Sequence, residues 1–118
     1  MTRNRLPDCL EHIQQAATDA CGFVRGMGKD EFQADKRTQM AVIMCLIVIG
    51  EAATNVMDLY PAFTEQHPAV PWRSMRNMRN RMAHGYFEIN LDIVLETVQA
   101  WLPALLEQLP GVRQDAEG

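Results

Sequence analysis

Met40 to Gly50 is an unbroken apolar run of 11 residues near the middle of the chain. It is too short to cross a bilayer, which takes about 20 residues in a helix. It shows no strand alternation. The run therefore reads as part of a buried helix with apolar surface on two sides, bounded by Asp35 as N-cap and extending over roughly residues 36–59.

The flanking sequence carries the same period. Leu6, Cys9, Leu10, Ile13, Ala17, Ala20 and Val24 follow helical spacing, so the first helix is expected over about residues 5–26, stopped by Gly26-Met27-Gly28. Residues 29–34 suit one short helical turn. Pro61 and Pro68 bracket a connector with room for another. Pro71 opens a helix expected to reach about Ala83, with Gly85 as its stop. Asn90 can cap a last helix whose apolar face runs from Leu91 to Leu109. Pro103 should kink that helix or move its end. The residues after Leu109, and Arg113 to Gly118 above all, read as a loose tail. Together these elements predict an all-α bundle of four main helices in a single domain over residues 1–118, with its core at roughly 6–109.

The bulk composition fits a soluble domain of this kind, with 22% charged residues and a formal net charge of −4. That charge excludes broad electrostatic capture of nucleic acid by the whole surface, so any RNA contact must come from a local basic patch. Cys9, Cys21 and Cys45 are an odd number and form no C-x-x-C pair, so they read as small buried apolar residues. A reducing cytoplasm fits them best, and no signal-like segment or membrane span is visible. His12 and His67 lack partners at metal-ligand spacing, and no metal or cofactor site is expected.

The local basic patch is easy to find. Between Pro68 and Phe87 lie Arg73, Arg76, Arg79 and Arg81 with no acid among them. Met75, Met78 and Met82 recur at helical spacing and should face the core, which leaves Arg76, Asn80 and His84 as an exposed ridge. Arginine grips phosphate through a planar fork, and histidine moves protons near neutral pH. Arg79 and His84 are thus the minimum equipment for metal-free cleavage of an RNA phosphodiester. Their spacing of five puts them about 140° apart on a straight helix. Either the helix ends before His84 or a second copy of the chain completes the site, and a twofold dimer would do the latter. Tyr86 adds a hydroxyl that could be modified. Glu51, a carboxylate on an apolar helix, needs a partner, for which an arginine of the basic helix is the natural candidate.

Arg79-Asn80-x-x-x-His84-x-Tyr86 resembles the R-x4-H-x-Y motif of the HEPN superfamily, in particular the HepT toxins, also called the DUF86 family. The likeness extends to Asp35-Lys36-Arg37-Thr38-Gln39-Met40-Ala41-Val42, Ile49-Gly50-Glu51-Ala52-Ala53, His67-Pro68-x-Val70-Pro71-Trp72-Arg73, His84-Gly85-Tyr86-Phe87, and the helix from Ile93-Val94 to Leu102-Pro103. It covers roughly residues 6–109. Many relatives carry Arg-Asn-Leu-Glu where this chain has Met44-Cys45-Leu46-Ile47. Polar roles at those positions are therefore not carried over, and a drier dimer contact takes their place.

This resemblance implies an antiparallel, dimerising helical bundle and a metal-independent endoribonuclease acting on tRNA or mRNA. In that mechanism His84 serves as general base or acid, Arg79 binds the scissile phosphate, and Asn80 orients one of them. Arg76 and Arg73 guide RNA by phosphate contacts. It further implies a minimal nucleotidyltransferase antitoxin (MntA-like) that silences the toxin by placing AMP on Tyr86, and a homodimer able to enter larger hetero-oligomers with that antitoxin. A rival reading makes the chain a non-catalytic helical partner subunit of such a nucleotidyltransferase, with the same arginines facing ATP phosphates. A third makes it a purely structural homodimer.

Overall fold

A computed structural model describes residues 5–117. The described residues hold helices and turns and no strand. In order they are α1 (Leu6–Phe23), α2 (Lys29–Ala34), α3 (Lys36–Leu59), α4 (Pro61–Gln66), α5 (Trp72–His84), a 3-10 turn (Tyr86–Glu88), α6 (Leu91–Glu96) and α7 (Leu102–Glu117), the last two joined by a π-helical segment (Thr97–Trp101). The expected bundle of four main helices is thus seven α-helices, three of them only six residues long.

The N-terminal signals act as expected. Asp35 accepts the Thr38 backbone N–H at 3.0 Å and its hydroxyl at 2.7 Å, closing the start of α3. These bonds to Thr38 hold the Asp35 carboxyl below its usual pKa, because they favour the charged form. Asn90 accepts from the backbone N–H of Asp92 and Ile93 and starts α6. Gly26 has φ 73°, a left-handed conformation that ends the turn after α1 and suits glycine alone.

The apolar helix α3 is the centre of the fold and packs against both α1 and α5. Val42, Leu46, Ile49, Ala53 and Val56 are fully buried along it, against a core that includes Leu10, Ile13 and Ala17 of α1. The whole helix is longer than the run of 11 suggested. By length and composition it could cross a membrane, with a mean hydropathy of 2.0 over its most apolar 18-residue window. Its packing gives that composition another use, since half of the window is buried inside the protein. The remainder of the apolar surface is exposed, with Met40, Met44 and Val48 forming a stripe at i, i+4 and i+8.

The C-terminal region corrects the expectation of a loose tail over residues 110–118. Helix α7 continues to Glu117, and Gly118 lies outside the described residues. Val112 is buried, and the Arg113 guanidinium donates to Gln14 on α1 at 2.6 Å. His67 Nε2 lies 3.4 Å from an Asp115 carboxylate oxygen, tying α7 to the connector. Packing of the Leu102, Leu105, Leu109 and Val112 row outweighs the loss of one backbone donor at each proline. Pro110 sits on the exposed side. Pro103 neither ends nor interrupts the helix. The turn before it widens instead, with the Leu102 N–H reaching back five residues to the Thr97 carbonyl.

Candidate active site

Helix α5 meets α3 at Gly50. A Cβ built there would overlap Arg79 Cβ and stand 2.5 Å from the Met75 carbonyl oxygen, so only glycine admits this approach. Trp72, Met75 and Met82 are the buried residues of α5. Met78 is only partly buried, so the predicted methionine face holds for Met75 and Met82 and is looser at Met78.

The close approach fixes Arg79. Its Nη1 donates to Glu51 Oε2 at 2.6 Å, and Nη2 reaches the Thr54 hydroxyl at 3.4 Å. The partner expected for Glu51 is therefore Arg79. The arginine side chain is 22% exposed and the Glu51 side chain 56%, so the pair lies at the rim of the α3–α5 contact. Arg76 is held more loosely, with Nη2 3.2 Å from Met57 Sδ and 3.8 Å from an Asp58 carboxylate oxygen. The Nε of each arginine is buried without an acceptor.

His84 is the last residue of α5 and is exposed. The helix does not end before it, which removes one of the two ways a single chain's spacing could be reconciled. Along an unbroken helix Arg79 and His84 stay about 140° apart. Arg73, Asn80 and His84 instead share the solvent face opposite the core, at i, i+7 and i+11, and all three are exposed. The predicted ridge of Arg76, Asn80 and His84 exists, with Arg76 half-buried at its start. Three clefts of about 330, 360 and 320 Å³ border α5, and none is lined by Arg79 or His84, although Arg73 lines the second. One chain brings Arg79 to Glu51 and Thr54 but does not bring it to His84.

Past Gly85 the chain makes the 3-10 turn Tyr86–Glu88. Tyr86 is 45% exposed, and its ring meets Phe87 edge-on with centroids 5.7 Å apart. From the sequence, Tyr86 and Phe87 after a glycine read more readily as packing residues than as sites, and the structure corrects this for Phe87, which is 99% exposed. Sequence reasoning also missed Thr54 and the dependence of Arg79 on Gly50, since no local pattern marks a helix crossing.

The cysteines lie away from this surface. Cys9 and Cys45 are buried, and Cys21 is half-buried with its thiol 3.6 Å from the Val98 carbonyl. Burial pushes all three thiols above the usual cysteine range, which keeps them protonated and poor as nucleophiles. Residues 44–47 divide between two surfaces. Cys45 and Leu46 face the core, Met44 faces out, and Ile47 lies between.

The family model for HepT-like ribonucleases matches residues 13–112. A "Putative RNase" of Methanocaldococcus jannaschii is 37% identical over 113 residues, which is 96% of this chain and 88% of that protein. The "Probable ribonuclease HepT" of Thermococcus cleftensis is 36% identical over 107 residues, covering 91% and 94% of the two chains. A "Putative RNase" of Caldanaerobacter subterraneus subsp. tengcongensis is 34% identical over 105 residues, covering 89% and 91%. No solved structure matches the chain.

Proposed function

The chain belongs to the HepT-like ribonuclease family, and on that premise we propose that it is the toxin of a toxin–antitoxin pair, a metal-independent endoribonuclease acting on cytoplasmic RNA. The observation that carries this reading is the state of α5. Arg79 is oriented by Glu51 and Thr54, while His84 on the same unbroken helix is exposed and has no hydrogen-bond or ion-pair partner among the described residues.

Cleavage starts when His84 takes the proton of a ribose 2′-hydroxyl, or gives one to the leaving 5′-oxygen. The 2′-oxygen attacks the adjacent phosphorus as the bond to the 5′-oxygen breaks, and water takes or supplies whichever of the two protons His84 does not, leaving a 2′,3′-cyclic phosphate and a 5′-hydroxyl. Arg79 offers its remaining guanidinium protons to the phosphate as charge builds there. Asn80, one helical turn before His84, hydrogen-bonds the phosphate or the imidazole. Arg73 and Arg76 add sequence-blind phosphate contacts.

Because Arg79 and His84 diverge on one chain, the working site spans a homodimer, with Arg79 of one copy serving His84 of the other. The exposed Met40, Met44 and Val48 stripe leads along α3 to Glu51 and is the natural dry contact for that pairing. Tyr86 is the point of control. Its exposed hydroxyl accepts an adenylyl group from a nucleotidyltransferase antitoxin, which places bulk and negative charge beside the arginines.

The test is cleavage of purified tRNA and mRNA in EDTA, using protein of unmodified mass made without antitoxin. Wild type should cut and leave cyclic phosphate ends, while Arg79→Ala and His84→Ala should each lose about a hundredfold or more. Mixing the two inactive variants should restore part of the activity through hybrid dimers. No cleavage by the unmodified wild type would move the assignment to a helical partner subunit of the transferase. Cleavage with no rescue on mixing would place Arg79 and His84 of one copy in the same site.

A further inference from the structure

We propose that Phe87 is a base-stacking platform, which binds a nucleobase of single-stranded RNA next to the phosphate handled by His84. The proposal rests on the ribonuclease reading and names how that site holds its substrate.

Isolated apolar residues at a surface are ordinary and need no explanation. Phe87 is outside that pattern in degree. Its exposure is 99%, whereas the other exposed large apolar residues lie between 37% and 63%. Those others lie on helical segments, apart from Tyr86 in the same turn. Phe87 is held only by the turn and by the edge contact with Tyr86. At 99% exposure the Phe87 ring keeps a face open to solvent, and a ring face is the surface a base stacks upon.

Its position suits the role. The ring is three residues past His84, on a 3-10 turn that Gly85 caps with a Glu88 N–H to Gly85 carbonyl bond of 2.9 Å. Arg73 and His84 lie exposed on the helix that leads into this turn. Aromatic rings interleaved with cationic groups are the usual grip on single-stranded RNA, whose splayed bases can reach them. A protein partner fits less well, because a glycine and the acidic Glu88 flank the two rings.

The probe is a fluorescein-labelled octaribonucleotide, with a second version lacking the base beside the cut position. Binding is measured to the His84→Ala protein, and cleavage to the otherwise wild-type protein, each with Phe87, Phe87→Ala, Phe87→Leu and Phe87→Trp. Phe87→Ala should weaken binding and raise KM by roughly ten- to a hundredfold with kcat little changed. Phe87→Leu should behave like alanine, and Phe87→Trp should keep wild-type affinity. The abasic probe should lose a similar factor with Phe87 and be insensitive to its replacement. Full cleavage with no Phe87 or abasic effect would overturn the stacking role and leave the ribonuclease intact. Dissociation of the dimer on Phe87→Ala would also overturn it and assign the ring to a protein contact. Phe87-dependent, base-dependent binding without wild-type cleavage would uphold the platform and defeat the ribonuclease reading.

Discussion

Arg79 and His84 stand on one helix, yet the fold holds the first against three residues of α3 and leaves the second to solvent. Arg79 lies over Gly50, with Glu51 and Thr54 gripping its guanidinium. His84, Tyr86 and Phe87 protrude from the other end of α5 with no contact to α3 in any hydrogen bond, ion pair or ring pair among the described residues. The middle of α5 is built into the core and its end is presented. Substitutions at the first region should therefore cost stability and activity together, whereas those at the second should change activity alone.

The sharpest break of that contrast is a pair of glycines. Gly50→Ala drives a methyl into Arg79 and the Met75 carbonyl, and backbone cannot move aside as a flexible side chain would. Overpacking of this kind costs about 2 kcal/mol or more, a fall in Tm on the order of 10 °C for a domain of this size. Gly85→Ala brings a methyl to 3.1 Å from the Arg81 carbonyl oxygen, a tight approach that a shift of a few tenths of an ångström at the helix end relieves, and its φ of −119° is open to any residue. That variant should cost about 1 kcal/mol or less. Thermal melts of the two decide the matter, and equal losses would mean the two ends of α5 are equally built into the fold.

A smaller effect separates the two motif residues themselves. Arg79→Ala strips the partner from Glu51 and removes a long aliphatic stem packed over Gly50. The carboxylate is more than half exposed, so water recovers part of the loss and about 1–2 kcal/mol should remain. His84→Ala removes an exposed side chain with no partner among the described residues, and should change stability by less than about 0.5 kcal/mol. Urea denaturation of the two variants measures this directly. An Arg79→Ala protein as stable as His84→Ala would make the Glu51 contact a surface pair of no structural weight.

The two regions were also unequally legible in the sequence. The ends of α3 and the caps Asp35 and Asn90 could be read directly, because an N-cap acts within three residues of itself. The need of Glu51 for an arginine was legible from a carboxylate on an apolar helix, but which arginine answered it depends on how α5 crosses α3. Gly50 gave no warning, since a glycine inside a helical pattern looks like a weak point until the neighbouring backbone is in place. The C-terminal region failed for a related reason. Pro103 and Pro110 are local stop signals, and they were overridden by a row of buried leucines and a π-helical turn that only the assembled core could favour. The exposed end of α5 was the reverse case. His84 and Tyr86 stood out as residue types, and the structure adds that no side-chain hydrogen bond or ion pair among the described residues restrains either.

Tyr86→Phe carries the smallest expected effect and probes the presented end most finely. The Tyr86 hydroxyl has no hydrogen-bond partner among the described residues, and the ring is 45% exposed. Removing one oxygen should leave the melt unchanged within about 0.5 kcal/mol. It should also leave RNA cleavage by unmodified protein unchanged. What it should abolish is the mass increase on incubation with ATP and the nucleotidyltransferase, together with the silencing that follows. Intact mass and cleavage read on the same sample separate the alternatives. A variant that still gains mass puts the acceptor elsewhere, and a variant that stops cutting makes the hydroxyl part of the chemistry. In that second case the free end of α5 would be a catalytic surface whose modification removes a working group, not an accessible handle whose modification obstructs one.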